Sequence, residues 1–363
     1  MATYQKVFPI LFLSKGQEYK TLASIKDDDI LSHGTGFFIS EDGDFMSVGH
    51  NFHREKNNKK TYEVADFYAV LYEEGTKQPH LKEIDFNKVQ VTYVEPILFD
   101  GKKRSIEFYE GKDIAIGKID LQETDTVENP IRVNFELQID TTKELSMFGY
   151  LQDKWIIEND NDPNPEGEKI ANTTFYYHEL KNRRLSEIGT HILRIDDGEQ
   201  TFHTTDFDFK GEDGYKGLSG SPVFDENNCL VGIFYGPDEV KKSVSKKEDN
   251  SNKVESPEAP KPDISYLDYD TEPSEPPKSD YTTILRLVSV KNPHLKHIYN
   301  RFYHKLFVKA TQSIKGYIKK GKDYKVQWEK GEHCREGEEF VKDDSGDKMT
   351  TICFTYEIKE NNG

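Results

Sequence analysis

The sequence predicts an all-β body, and three observations point there. From the N-terminus to about residue 236, short runs rich in Phe, Tyr, Ile and Val are cut by turn residues, the texture of many short strands. Helical periodicity is scarce over the same span. GTGFFIS, EDGD and FMSVGH, together residues 34–50, read as two strands joined by a hairpin whose Asp42-Gly43 supplies the positive φ of a tight turn.

Taken in order, VFPILFL near the N-terminus is a first strand, followed by the hairpin and by FYAVLY, KVQVTYV, DIAIGKI, ELSMFGY, HILRI, SPVFD and CLVGIFYG. Residues 237–280 change character: Lys, Glu, Asp, Ser and Pro dominate, and such a segment buries too little apolar area to offset its ordering entropy. It is expected to be a disordered acidic, Pro-rich linker or surface insertion. Order resumes with YTTILRLVSV, and Asn292-Pro293 makes an N-cap and first helical residue. Leu295, Ile298, Phe302, Leu306, Ala310 and Ile314 then recur at helical spacing among lysines and arginines, predicting a basic amphipathic helix to about residue 318. Residues 319–363 mix charged runs with short apolar pieces, and no fold is assigned to them.

Composition narrows the function classes. Of 363 residues, 34% are hydrophobic and 32% charged, so a globular body is diluted by solvated segments. A formal charge of -17 argues against general binding to a phosphate backbone, whose affinity comes from Lys and Arg. No run approaches the roughly 18 apolar residues of a membrane span. VFPILFL is too short for one and lacks a signal-peptide cleavage site. Cys229, Cys334 and Cys353 are odd in number and widely spaced, which gives neither a disulfide framework nor metal-ligand spacing. The expectation is a cytoplasmic protein with no metal and no cofactor. The acidic stretch at Asp160–Gly167 lacks the calcium-loop pattern, since two prolines and a misplaced glycine break it, and reads as a surface loop.

Acyl transfer by a serine needs a base for its proton, an acid to hold that base in the right tautomer, and donors for the oxyanion. Gly217-Leu218-Ser219-Gly220-Ser221-Pro222 places glycines around a serine, which allows a tight path that exposes the hydroxyl and points the Gly217 and Ser219 amides into one space. His50 ends the β-rich run FMSVGH, and Asp113 leads into the apolar DIAIGKI. Each segment alone also suits a structural turn or cap. Their conjunction, in the order His, Asp, Ser, is what carries weight.

These segments resemble those of the trypsin and chymotrypsin family of serine peptidases, with Ser221 standing where the family usually has glycine. FGYLQ, around Gly149-Tyr150, and FDENNCLVGIFYG resemble further family segments. The resemblance implies two antiparallel six-stranded β-barrels, about 1–125 and 135–236, closed by a strand and helix at about 281–318, with a C-terminal extension. It implies a catalytic triad of His50, Asp113 and Ser219, an oxyanion hole from the Gly217 and Ser219 amides, and a protein or peptide substrate. Asp213, six residues before Ser219, stands at the offset of the family's primary specificity carboxylate and implies cleavage after Lys or Arg. A solvated Asp213 in its acidic loop is the alternative. Tyr235 falls in the strand that lines the family's substrate cleft. Leu218 occupies the place where secreted members pair an aspartate with a new N-terminus, so control is expected to come from elsewhere. The layout is similar to that of intracellular bacterial stress proteases and, by analogy, of defence effectors, with the C-terminal extension as the candidate site for a regulatory partner. KKSVSKK, residues 241–247, is a candidate self-cleavage site. Two rival readings stand beside this one: an idle scaffold on the same frame, and an esterase.

Overall fold

The computed structural model describes the chain apart from residues 1, 54, 57–58, 77, 93–96, 100–101, 105–112, 141–143, 153–166, 171–172, 189–191, 197–216, 242–280, 304–305, 311–312, 314–316, 321, 330–337, 351–355 and 361–363. Asp213, the acidic stretch at 160–167 apart from Gly167, most of the 237–280 segment and all but the first residue of KKSVSKK lie outside the described residues. Among the described residues the protein is mostly β, with few and short helices.

Seven strands make the first sheet: β1 (Val7–Ser14), β2 (Ile30–Phe38), β3 (Asp44–Ser47), β4 (Ala65–Tyr72), β5 (Pro79–Ile84), β6 (Gln90–Thr92) and β7 (Ile114–Lys118). Their order is β5-β4-β1-β2-β3-β7-β6, with every neighbouring pair antiparallel. The expected hairpin joins β2 to β3. Gly43 turns there at φ +92°, and a Cβ on it would lie 2.4 Å from the Ile119 carbonyl oxygen, so glycine is required twice over.

Strand β1 shows why its apolar run is continuous and not alternating. Phe8, Ile10 and Phe12 face one core with Phe38, Phe45, Phe52 and Phe67. Val7, Leu11 and Leu13 face another with Phe37, Met46, Ile114 and Ile116. Both faces of the strand are buried, so both sets of positions are apolar.

The second sheet contains β8 (Leu145–Gln152), β9 (Gly167–Ile170), β10 (Thr173–Ile188), β11 (Ile192–Asp196), β12 (Pro222–Asp225), β13 (Leu230–Lys241) and β14 (Tyr281–Ser289), in the order β8-β12-β13-β14-β11-β10-β9. Strand β8 also pairs with β10, from Leu145 opposite Arg183 to Gln152 opposite Phe175, so the pairings return to the strand from which they set out. The seventh strand, β9, is a hairpin arm added to β10. Strand β13 runs past the compositional boundary at 236, because Pro237–Lys241 pair with Leu285–Tyr281. Its own core gathers Leu145, Met147, Leu218, Val223, Val231, Phe234 and Leu287.

The two sheets share a core. Val7, Phe37, Met46 and Ile116 of the first pack in one cluster with Tyr150, Phe224, Ile233, Tyr235 and Val288 of the second. A helix, Pro293–Phe302, closes that cluster with Leu295 and Ile298. The predicted cap holds: Asn292 Oδ1 accepts from the His294 amide at 2.8 Å and the Leu295 amide at 3.4 Å, with Pro293 in the first turn. The helix is fixed to the first sheet by Arg301 Nε, which donates to Gln90 Oε1 at 2.8 Å, and by the Tyr303 hydroxyl, which donates to Asp44 Oδ2 at 3.0 Å. Burial, and then the Asp44 carboxylate, push the Tyr303 phenol well above its ordinary pKa, so it keeps its proton and remains a donor.

The helix is shorter than its periodicity predicts. It ends at Phe302, and Leu306–Ala310 is a strand, β15. The spacing misleads because four residues is an even number: Leu306 and Ala310 share one face of a strand as well as one face of a helix. Long-range pairing decides between them. Strand β15 lies between β16 (Asp323–Lys325) and β20 (Tyr356–Glu360), while β17 (Gln327–Glu329), β18 (Glu338–Lys342) and β19 (Lys348–Thr350) form a second three-stranded sheet. Among the described residues of 319–363, to which the sequence reading assigns no fold, these five short strands stand out. The Arg301 guanidinium lies 5.8 Å from the Trp328 ring centroid, joining this region to the helix. Among the described residues no helix is long and apolar enough to cross a membrane.

Candidate active site

Register brings the first two candidate residues together. Strands β7 and β3 pair with Ala115 opposite Ser47, so Asp113, two residues before Ala115, comes level with Gly49, two residues after Ser47. His50 follows at once, opening the one-turn helix His50–His53. The Asp113 carboxylate takes both of that residue's donors: Oδ1 accepts from the His50 amide at 2.7 Å, and Oδ2 lies 2.5 Å from His50 Nδ1. The side chains are 13% exposed for His50 and 3% for Asp113, so the carboxylate is sealed and the ring keeps a small opening. With Nδ1–H donated to Oδ2, Nε2 is the ring nitrogen that can act as a base. Tyr235 walls the imidazole edge to face, its ring centroid 5.9 Å away with planes at 85°.

Ser219 sits in a turn between glycines at φ +95°, Gly217 and Gly220, with the Ser221 amide donating to the Leu218 carbonyl at 2.9 Å. Leu218, 1% exposed, roots this turn in the apolar core of the second sheet. A Cβ on Gly217 would stand 1.8 Å from His33 Nε2 and 2.6 Å from the Tyr150 carbonyl oxygen. A Cβ on Gly149 would stand 2.0 Å from Ser221 Oγ, so the missing side chain at 149 makes room for the serine at 221.

The first sheet reaches across to hold this turn. Thr35, fully buried in β2, donates from its amide to the Ser219 carbonyl at 2.9 Å and from Oγ1 to the Gly217 carbonyl at 2.8 Å. The Tyr150 amide donates to the same Thr35 Oγ1 at 3.1 Å. Asn51, next to His50, donates from Nδ2 to the Ser219 carbonyl at 3.0 Å.

No family model and no curated protein matches the chain. Several solved structures are similar to it, all at low identity. Deg5 is similar at 12% identity over 64% of this chain and 79% of that one, with a TM-score of 0.36. A Glu endopeptidase in complex with MPD is similar at 11% identity over 81% and 90% of the two chains, with a TM-score of 0.40. The serine endoprotease from Yersinia pestis is similar at 13% identity over 63% and 53%, with a TM-score of 0.33.

Of the residues singled out in the sequence, His50 and Asp113 are in direct contact, Tyr235 lies against His50, and Gly217 and Ser219 share the turn that the first sheet grips. Thr35 and Asn51 were not singled out. Both stand in segments that carry the hairpin and the histidine, but a threonine in a strand and an asparagine after a histidine have no pattern of their own. Their role appears once the two sheets are brought together.

Proposed function

We propose that the protein is a serine endopeptidase in which His50, Asp113 and Ser219 form the triad and the two sheets act as the two barrels of the trypsin-like fold. The single observation that carries this reading is the grip of one buried carboxylate on both donors of His50, 63 residues away in sequence, beside a serine-bearing turn tied to the next residue, Asn51. A cap or turn aspartate needs one of those bonds; orienting an imidazole as a base needs the second.

In this mechanism His50 Nε2 removes the Ser219 hydroxyl proton as Oγ attacks the peptide carbonyl carbon. Asp113 stabilises the imidazolium that results, and the Gly217 and Ser219 amides receive the oxyanion. Collapse of the tetrahedral intermediate expels the amine, which takes its proton from His50, and water then hydrolyses the acyl-enzyme by the same steps. Tyr235 borders the cleft, and Asp213 supplies a preference for Lys or Arg at the cleaved bond. A peptide panel tests that preference, and fastest turnover of Phe or Leu substrates would remove it. The C-terminal sheets are the proposed contact for a regulatory partner.

The test of the whole reading is covalent labelling by a fluorophosphonate probe, with label on wild type and none on Ser219→Ala. An unlabelled wild type would point instead to an idle scaffold on this frame. Turnover of esters without amides would leave an esterase. Gly217→Ala probes the oxyanion turn separately. With φ at +95° and its Cβ driven against His33 and Tyr150, the loop must shift, and peptide turnover is expected to fall on the order of 100-fold to 1000-fold. Steady-state kinetics on a peptide amide checks this, and turnover within tenfold of wild type would place the oxyanion donors elsewhere.

A further inference from the structure

We propose that Asn51 is a positioning residue for the nucleophile, acting through the carbonyl of Ser219; this rests on the endopeptidase reading above. Asn51 is 3% exposed and follows the proposed base directly. Its amide nitrogen has two hydrogens, and both are used: Nδ2 donates to Ser47 Oγ and to the Ser219 carbonyl oxygen, each at 3.0 Å. The orientation of the amide is fixed by chemistry, since a backbone carbonyl can only accept. Ser47 Oγ in turn donates to the Thr35 carbonyl at 2.7 Å, and the Thr35 amide returns to Ser219 O at 2.9 Å. The result is a closed polar ring of Asn51, Ser47, Thr35 and the Ser219 carbonyl that spans both sheets.

The packing around Asn51 is shaped for this. A Cβ on Gly34 would fall 2.4 Å from Asn51 Nδ2, so the bare backbone at 34 is what lets the amide approach β2 this closely. On the far side of the same peptide unit, the Gly220 amide donates to the Phe234 carbonyl at 2.9 Å. The peptide plane between Ser219 and Gly220 is therefore pinned at its oxygen by the first sheet and at its nitrogen by the second. That plane sets where the Ser219 side chain leaves the backbone. Because the residue pinning it adjoins His50, base and nucleophile are registered to one short segment, and no charge pair at Leu218 is needed to form the turn.

Two substitutions separate this role from simple space filling. Asn51→Asp keeps the shape but turns the donor into a carboxylate facing a carbonyl oxygen, whereas Asn51→Ala deletes the contact and leaves room for water. For a positioning role, kcat on a peptide amide falls about 100-fold for Asn51→Asp and by less for Asn51→Ala, with KM little changed in both, since displacement of a reacting group by about 1 Å costs that much. The Asp variant, expressed relative to wild type, should also recover as pH falls, because a protonated carboxyl can again donate to the carbonyl. A residue that merely fills space gives the reverse order, with Asp close to wild type and Ala impaired. That order, or wild-type fluorophosphonate labelling rates in both variants, overturns the proposal while leaving the endopeptidase reading intact. Should Asn51→Asp fail to fold, the KM-against-kcat split of Asn51→Ala decides alone: a fall in kcat of at least fivefold at unchanged KM supports positioning, and a smaller one overturns it. A wild type that takes no label removes both ideas together.

Discussion

Replacing Ser219 by alanine is expected to lower peptide turnover by on the order of 10⁶-fold while leaving the fold intact. The two halves of that expectation have separate causes. Chemistry is lost because, among the described residues, no other hydroxyl stands in the turn with the proposed base and oxyanion donors; Ser221, two residues on, is fully buried and packed against Gly149. The fold is kept because the turn is held through main-chain atoms. The Ser219 carbonyl retains its bonds from Thr35 and Asn51, and Gly217 and Gly220 keep their conformation. Kinetics on a peptide amide beside a thermal melt checks both halves. A variant that melts with wild type but keeps a tenth of its turnover would show that Ser219 is not the nucleophile.

Asp113→Asn should cost about 10⁴-fold in kcat, and the geometry says why so small a change does so much. Asn has one acceptor oxygen where Asp has two. The His50 amide, a donor that cannot be reversed, sits 2.7 Å from Oδ1 and claims that oxygen. The new NH₂ group is then left facing His50 Nδ1, which must become an acceptor. The ring is forced into the tautomer with its proton on Nε2, and a protonated Nε2 cannot take the proton of Ser219. Comparing kcat for Asp113→Asn and wild type, with a melt to confirm folding, tests this directly. A loss below about tenfold would mean that the buried carboxylate serves the His50 backbone alone.

Strands β1, β3, β4 and β7 of the first sheet were legible because both of their faces are buried. Phe8 and Val7, or Phe37 and Phe38, point into different cores yet read as one apolar run. The segments around His50, Asp113 and Ser219 stood out because glycines at φ +95° and an aspartate before an apolar strand are local demands on sequence. Three things were not. The end of the helix at Phe302 depended on whether Leu306–Ala310 found partners, and those partners lie at Asp323–Lys325 and Tyr356–Glu360. The 16-residue strand β10, with its many charged residues, has no apolar alternation to announce it and is fixed by pairing with β8 and β11. The ring of Asn51, Ser47 and Thr35 was illegible because each member is an ordinary residue whose task is set by a carbonyl contributed from the other sheet.

The chain leaves the second sheet at Ser289 and at once lays Leu295 and Ile298 of its helix into a cluster shared with Phe37, Met46 and Ile116 of the first. It thereby works as a strap buckled across the seam. Prising the halves apart would bare those two side chains to water, at about 1.5–3 kcal/mol apiece, and would strain the anchors at Gln90 and Asp44 as well. The two halves that bear His50, Asp113 and Ser219 are thus held together by a segment that contributes none of these residues.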